Sequence, residues 1–127
     1  FSKIKKFYES NNKNFKNLKF LVLGLSYKRN IDDIRESPSL RLLEVIKKAG
    51  FEINYSDPFF QNFPKTRKFN FKLKSVDITP NNLKKFDVVV LSTDHDSFDY
   101  KMIKEFSNLI VDTRGVYRES SHNILKV

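Results

Sequence analysis

Apolar residues in this chain fall into short bursts, each closed by a turn-forming or charged residue. Residues 18–24 form the first burst. Its Phe-Leu-Val-Leu centre predicts a buried strand that ends at Gly24. Ser37-Pro38 then reads as a helix N-cap followed by proline at the first helical position. Leu42, Val45, Ile46 and Ala49 mark one face of that helix, and Gly50 is its stop. Phe51 to Tyr55 alternates as a second strand, broken by Asp57-Pro58. The stretch 59–74 is basic and aromatic, and no period identifies it.

Beyond it, Lys74 to Ile78 is expected as a short strand and Pro80 to Lys85 as a short helix. Asp87-Val-Val-Val-Leu91 is the clearest strand. Its β-branched run lacks alternation, which predicts a sheet covered on both faces. Phe98, Met102 and Phe106, with Ile103, form another helical stripe, and Leu109 to Val111 is read as the last strand. Strands alternating with helices predict an α/β fold: an open parallel sheet of about five strands with helices on both faces. At the other end, Phe1, Ile4, Phe7 and Tyr8 fit a short amphipathic helix that Asn11, Asn12 and Asn14 weaken. Residues 1–16 are therefore read as a helical lead-in and 17–127 as the main domain. The chain opens on Phe inside this helix and is expected to be a piece of a longer protein.

Composition narrows the function. A chain of 127 residues with 39% hydrophobic residues, 13 of its residues being Phe, can bury one core. No apolar run approaches a membrane span and no signal segment opens the chain. There is no cysteine, hence no disulfide, thiolate nucleophile or thiolate metal site, and the expected location is cytoplasmic. A net charge of +9 suggests nucleic acid as a partner. The lysines are spread along the chain beside abundant Asn, however, and no recognition helix or stacking motif accompanies them. The expectation is no nucleic acid and no membrane, but attraction for a small phosphorylated ligand.

In open α/β sheets, ligands bind beyond the carboxyl ends of the strands. Here the post-strand segments are Gly-Leu-Ser-Tyr-Lys-Arg-Asn-Ile-Asp-Asp-Ile-Arg-Glu-Ser from Gly24, Ser56-Asp-Pro-Phe-Phe60, Ser92-Thr-Asp-His-Asp-Ser97 and Asp112-Thr-Arg-Gly-Val-Tyr117. The first lacks the glycines of a dinucleotide-binding turn, so a backbone cradle for pyrophosphate is poorly supported. It offers Lys28, Arg29 and Arg35 instead, side chains suited to phosphate or carboxylate, with Asp32 and Asp33 placed to orient them. A solvated turn would carry the same residues.

The segment from Gly24 to Glu44 also resembles the opening of the C-terminal domain of the UDP-glucose/GDP-mannose dehydrogenase family. Tyr27-Lys28, Asp33, Arg35 and Ser37-Pro38 match its pattern in order. Tyr55-Ser-Asp-Pro-Phe-Phe60 resembles its Asp-Pro turn, and the segments ending the last two strands resemble its own; the likeness runs from about Lys19 to Tyr117. Thr93-Asp94-His95 looks more like the branch acting on UDP-N-acetylhexosamines.

The resemblance implies a Rossmann-like, nucleotide-sugar-binding domain of a nucleotide-sugar 6-dehydrogenase, which oxidises the C6 alcohol of a UDP-sugar to a carboxylate with NAD. The cysteine nucleophile, the N-terminal NAD-binding domain and the central helical domain would lie outside this chain, and the whole enzyme would be a homo-oligomer. This chain alone would be inactive and would contribute no catalytic residue. Tyr27, Lys28 and Arg114 are implied at the substrate, and Arg35 at the side facing the cofactor. Tyr27 as a core aromatic, and Arg35 as an ion-pair partner of Asp32 or Asp33, remain open. The competing reading is a non-enzymatic basic α/β module for nucleic acid or an acidic partner.

Two further motifs are weighed. Asp94-His95-Asp96 suggests catalysis or metal, but neighbouring side chains diverge and no third ligand is apparent. The expectation is no metal, Asp96 or Ser97 capping the next helix, and His95 hydrogen-bonding nearby. Phe59, Phe60, Phe63, Phe69 and Phe71, set among Lys65, Arg67, Lys68 and Lys72, read either as a loop over the core edge or as a surface for other domains.

Overall fold

The computed structural model describes residues 2–11, 14–26, 37–64, 66 and 71–127. Five parallel strands make one sheet: β1 (Lys19–Leu23), β2 (Glu52–Ser56), β3 (Val88–Leu91), β4 (Ile110–Asp112) and β5 (Ile124–Lys126). Their spatial order is β2-β1-β3-β4-β5. Strand order therefore reverses between β1 and β3, where Leu23 lies opposite Leu91 on one side and Ser56 on the other. Among the described residues, four helices accompany the sheet: α1 (Ser2–Ser10), α2 (Pro38–Lys48), α3 (Pro80–Lys84) and α4 (Tyr100–Phe106).

The unbroken apolar runs follow from this layering, because alternate residues enter two different cores. Phe20, Val22, Val88, Val90 and Val111 pack with Ile4 and Tyr8 of α1 and with Leu40, Leu43 and Ile46 of α2. Leu21, Leu23, Val89, Leu91 and Ile110 pack with Leu83 of α3 and Ile103 of α4. A side-chain period of two, with both faces buried, leaves no polar face to alternate with. The α/β parallel sheet of five strands with helices on both faces is thus observed.

Several elements differ from expectation. Lys74 to Ile78 is not a strand. Lys74 makes only an isolated antiparallel bridge to Asn62. The segment folds back along the outer edge of β2, with the Val76 amide on the Tyr55 carbonyl at 2.8 Å and the Ser75 amide on the Gln61 carbonyl at 2.8 Å. Irregular partners on that edge preclude a continuous ladder. The fifth strand is β5 instead, a short edge strand with only Ile124 fully buried. On α2 the buried face is Ser39, Leu40, Leu43 and Ile46, while Val45 is 38% exposed and Ala49 lies outside. Two apolar stripes overlap on this helix, and the one continuous with buried Ser39 faces the core. The cap of α4 is Asp99, whose carboxylate accepts from the Met102 amide at 3.0 Å, rather than Asp96 or Ser97.

The Phe-rich stretch is partly resolved into core. Tyr55 packs edge-on against Phe63, and Phe63 against Phe71, with centroids 5.8 and 5.3 Å apart. Lys65, Arg67, Lys68 and Phe69 lie outside the described residues.

Ser37 caps α2 as expected, accepting from the Ser39 amide, and its hydroxyl also donates to the Leu25 carbonyl at 2.5 Å. Ser37→Ala removes both contacts in a buried setting. It should lower unfolding free energy by about 1–2 kcal/mol in urea denaturation.

Candidate functional site

The carboxyl ends of β1, β2, β3 and β4 form one polar rim. Each strand leaves its apolar run on a buried polar residue: Ser26, Asp57, Ser92 and Asp112. At the end of β1 the chain turns at Gly24, with φ +92°. A Cβ there would lie 2.8 Å from Thr93 Oγ1 and 2.9 Å from the Thr93 nitrogen. That space is filled by Thr93, whose Oγ1 donates to the Ser26 carbonyl at 2.5 Å. The Gly24 turn therefore has no room for the close backbone approach that a dinucleotide pyrophosphate requires. The residues of this turn do not fit a resident NAD.

Asp57 is heavily bonded through its carboxylate. Its Oδ2 accepts from the Leu25 amide at 2.6 Å and lies 3.1 Å from His95 Nε2, and its Oδ1 accepts from the Phe59 amide at 2.8 Å. Both side chains of the Asp57–His95 pair are fully buried. Burial alone would push the Asp57 carboxyl up. The hydrogen bonds from His95 and from the Leu25 and Phe59 amides outweigh it and hold the group below the usual aspartate range. Since the anionic carboxylate only accepts, Nε2 of His95 carries the shared proton. The expected nearby hydrogen bond of His95 is thus observed. Phe59 and Phe98 flank the imidazole with centroids 5.0 and 5.6 Å away.

Asp112 organises the turn after β4. Its carboxylate accepts from the amides of Arg114, Gly115 and Tyr117 at 3.0, 2.9 and 2.9 Å. Arg114 is exposed, and its Nε donates to the Ser92 carbonyl at 2.7 Å. Ser92 Oγ in turn sits 2.5 Å from Ser39 Oγ in the first turn of α2. Tyr117 donates to the Tyr100 carbonyl and Tyr100 to the His95 carbonyl, at 2.7 and 2.6 Å. Burial, then the nearby Asp112, keeps the Tyr117 hydroxyl protonated far above its usual range.

Of the residues expected from sequence, Arg114 stands on this rim. Tyr27, Lys28 and Arg35 lie outside the described residues, as do Asp32 and Asp33. Both flanks of that segment are described. Leu25 and Ser26 lead into it and Ser37 leads out, joined by the Ser37 hydroxyl on the Leu25 carbonyl. A chain of contacts therefore runs from Arg114 through Ser92 and Ser39 to the exit of segment 27–36. Asp57, Ser92 and Thr93 belong to the post-strand segments expected from the sequence, but none of the three was singled out as a site residue; each is polar and stands within two residues of an apolar run. Among the described residues there is no group of three potential metal-ligating side chains, and no helix is long and apolar enough to cross a membrane.

Residues 21–119 match the family described as the UDP-glucose/GDP-mannose dehydrogenase family, UDP binding domain. The chain belongs to this family. It is 29% identical over 126 residues to the UDP-N-acetyl-D-mannosamine dehydrogenase of Methanococcus vannielii, covering 93% of this chain and 27% of that protein. It is 33% identical over 105 residues to the Escherichia coli K12 enzyme of the same name, covering 80% of this chain and 24% of that protein. The structure of a UDP-D-ManNAc dehydrogenase from Pyrococcus horikoshii superposes with a TM-score of 0.70 at 24% identity, covering 97% of this chain and 28% of that one. That likeness establishes the shared fold. The chain spans about a quarter of the length of the curated relatives it matches. It corresponds to the UDP-binding domain of dehydrogenases that act on UDP-sugars.

Proposed function

We propose that the β1–β3 rim holds the UDP moiety of a nucleotide sugar, with Lys28 and Arg114 meeting its anionic charge and Tyr27 packing on the sugar or base. The observation that carries this reading is the fixed position of Arg114. Its guanidinium is held on the Ser92 carbonyl just beyond β3. Through Ser92 and Ser39 it is tied to the helix start where segment 27–36 returns. Arginine's planar fork matches a phosphate, and lysine adds a compact charge. The net charge of +9 favours an anionic ligand over long range.

In this reading the chain serves a cytoplasmic, homo-oligomeric, NAD-dependent 6-dehydrogenase. The UDP-N-acetylhexosamine class is favoured by the names of its relatives. NAD would be held mainly by segments outside this chain, with Arg35 facing it, and the cysteine nucleophile would come from outside as well. The chain's own contribution is to bind and orient the nucleotide.

Isothermal titration of the chain at low salt tests the reading. UDP should bind more tightly than inorganic phosphate. Arg114→Ala and Lys28→Ala should each weaken UDP by about 1.5–3 kcal/mol, roughly 10- to 150-fold. Affinity indifferent to the nucleoside and collapsing with salt would instead support a general polyanion binder.

A further inference from the structure

A cavity of about 370 Å³ lies at the opposite end of the sheet from the polar rim. β3, β4 and β5 pair in parallel, so the amino ends of β4 and β5 face away from the rim at their carboxyl ends. There α4 and the turn entering β5 bound the cavity. Lys101, Lys104 and Ser107 line it from the helix side, and Ser121, His122 and Asn123 from the turn. Glu105 adds one carboxylate.

The turn is fastened to the helix end. Asn123 Nδ2 donates to the Lys104 and Ser107 carbonyls at 2.9 and 3.1 Å, and Ser121 Oγ donates to Asn123 Oδ1 at 2.8 Å. Asn123 thereby meets two of the carbonyls that give a helix C-terminus its negative potential. The side chains that remain are mostly basic. Lys101 and Lys104 stand three apart on α4 and share a face. Lys104, in the last turn, suits the helix dipole. Lys101 stands in the first turn, where the dipole disfavours a cation, so the dipole does not account for it. Glu105 follows Lys101 by one turn, yet among the described residues neither lysine is ion-paired, and neither is His122.

Ser107 supplies a further observation. It is 6% exposed, and its hydroxyl has no hydrogen-bond partner among the described residues. An unmet buried hydroxyl is destabilising. Three unpaired basic side chains and one unmet donor therefore belong to the lining of a single cavity.

We propose that this cavity binds the phosphate group of a small molecule, held by Lys101, Lys104 and His122, with the Ser107 hydroxyl turned about its Cα–Cβ bond to donate to it. Lysine meets phosphate as a compact charge, and charge-assisted bonds are the strong ones. Donors arriving from the helix and from the turn suit a tetrahedral oxyanion better than a planar carboxylate. Pockets that hold small ligands begin at about 300 Å³, so the space admits a phosphate monoester as well as the free ion. The site is separate from Arg114, which stands beyond the carboxyl end of β4.

Amide NMR of the chain tests the proposal, with inorganic phosphate, glucose 6-phosphate and, at matched ionic strength, sodium chloride as titrants. Phosphate should shift the Ser107, His122 and Asn123 resonances saturably, and should do so in Arg114→Ala as well. A tighter response to glucose 6-phosphate identifies a monoester as the ligand class, and an equal response identifies the phosphate group alone. The double variant Lys101→Gln/Lys104→Gln should respond about tenfold or more weakly while keeping a dispersed spectrum. Ser107→Ala gives an independent readout. In phosphate-free buffer its melting temperature should equal or exceed that of the unaltered chain, because an unmet hydroxyl is gone. Added phosphate should then raise it less. Shifts that sodium chloride reproduces, that vanish in Arg114→Ala or that persist undiminished in the double lysine variant overturn the proposal, as does an equal gain from phosphate in Ser107→Ala.

Discussion

Gly24→Ala should cost about 3–5 kcal/mol of unfolding free energy, a large share of the stability of a small domain. Two effects add. The backbone at position 24 has φ +92°, a region that an L side chain enters with strain. The new methyl would also overlap Thr93, with the backbone nitrogen at 2.9 Å and Oγ1 at 2.8 Å. Thr93 has little freedom to withdraw, because its amide donates to the Leu23 carbonyl at 3.0 Å and its hydroxyl to the Ser26 carbonyl. Truncating Thr93 would not relieve the clash, since the nitrogen belongs to the chain itself. Urea denaturation followed by circular dichroism gives the measurement. A midpoint close to that of the unaltered chain would show that β1 and β3 can separate at their ends without loss.

Asp57→Ala should be of similar size, about 3–5 kcal/mol, for a different reason. It strands the Leu25 and Phe59 amides and the His95 donor in a buried site, and each unmade bond costs about 1–3 kcal/mol. The same group predicts a pH dependence of definite sign. Asp57 is held below its ordinary range in the folded chain. Its stabilisation is fully present above the unfolded aspartate value of about 3.9 and is lost as pH falls through the lower folded value. Unfolding free energy should therefore decline on acidification below about pH 4, and Asp57→Asn should flatten that part of the profile. Equal acid slopes in the two proteins would place the acid sensitivity elsewhere.

The sequence exposed the sheet's centre more readily than its margins. Val88 to Leu91 and Phe20 to Leu23 are legible because burial on both faces removes polar alternation. Ser37-Pro38 is legible because a cap acts locally on the next three residues. β5 escaped notice because three edge residues carry almost no pattern, and the 74–78 segment was misread because its few apolar residues cover an edge instead of joining a ladder. On α2, periodicity allowed two faces, and only the packing of Ser39 and Leu40 distinguishes them. At the rim, the segment of Arg114 follows from the rule that ligands gather at strand ends, whereas its expected role at a substrate came from the family resemblance. The Asp57–His95 contact does not follow from any such rule. It joins residues 38 apart in sequence, and it exists only because β2 lies beside β1 while the segment after β3 reaches over both.

Every strand pairing among the described residues is parallel, so none of these closes through a tight hairpin, and β1 must wait for β3, more than sixty residues later, to complete its second edge. Such a topology has a high contact order and forms slowly compared with a helical bundle of equal size. A synthetic peptide spanning Leu18 to Leu43 would contain the whole segment 27–36 but neither Asp57, Thr93 nor Arg114. The proposed nucleotide rim is therefore a late product of folding, complete only when the last central strand docks.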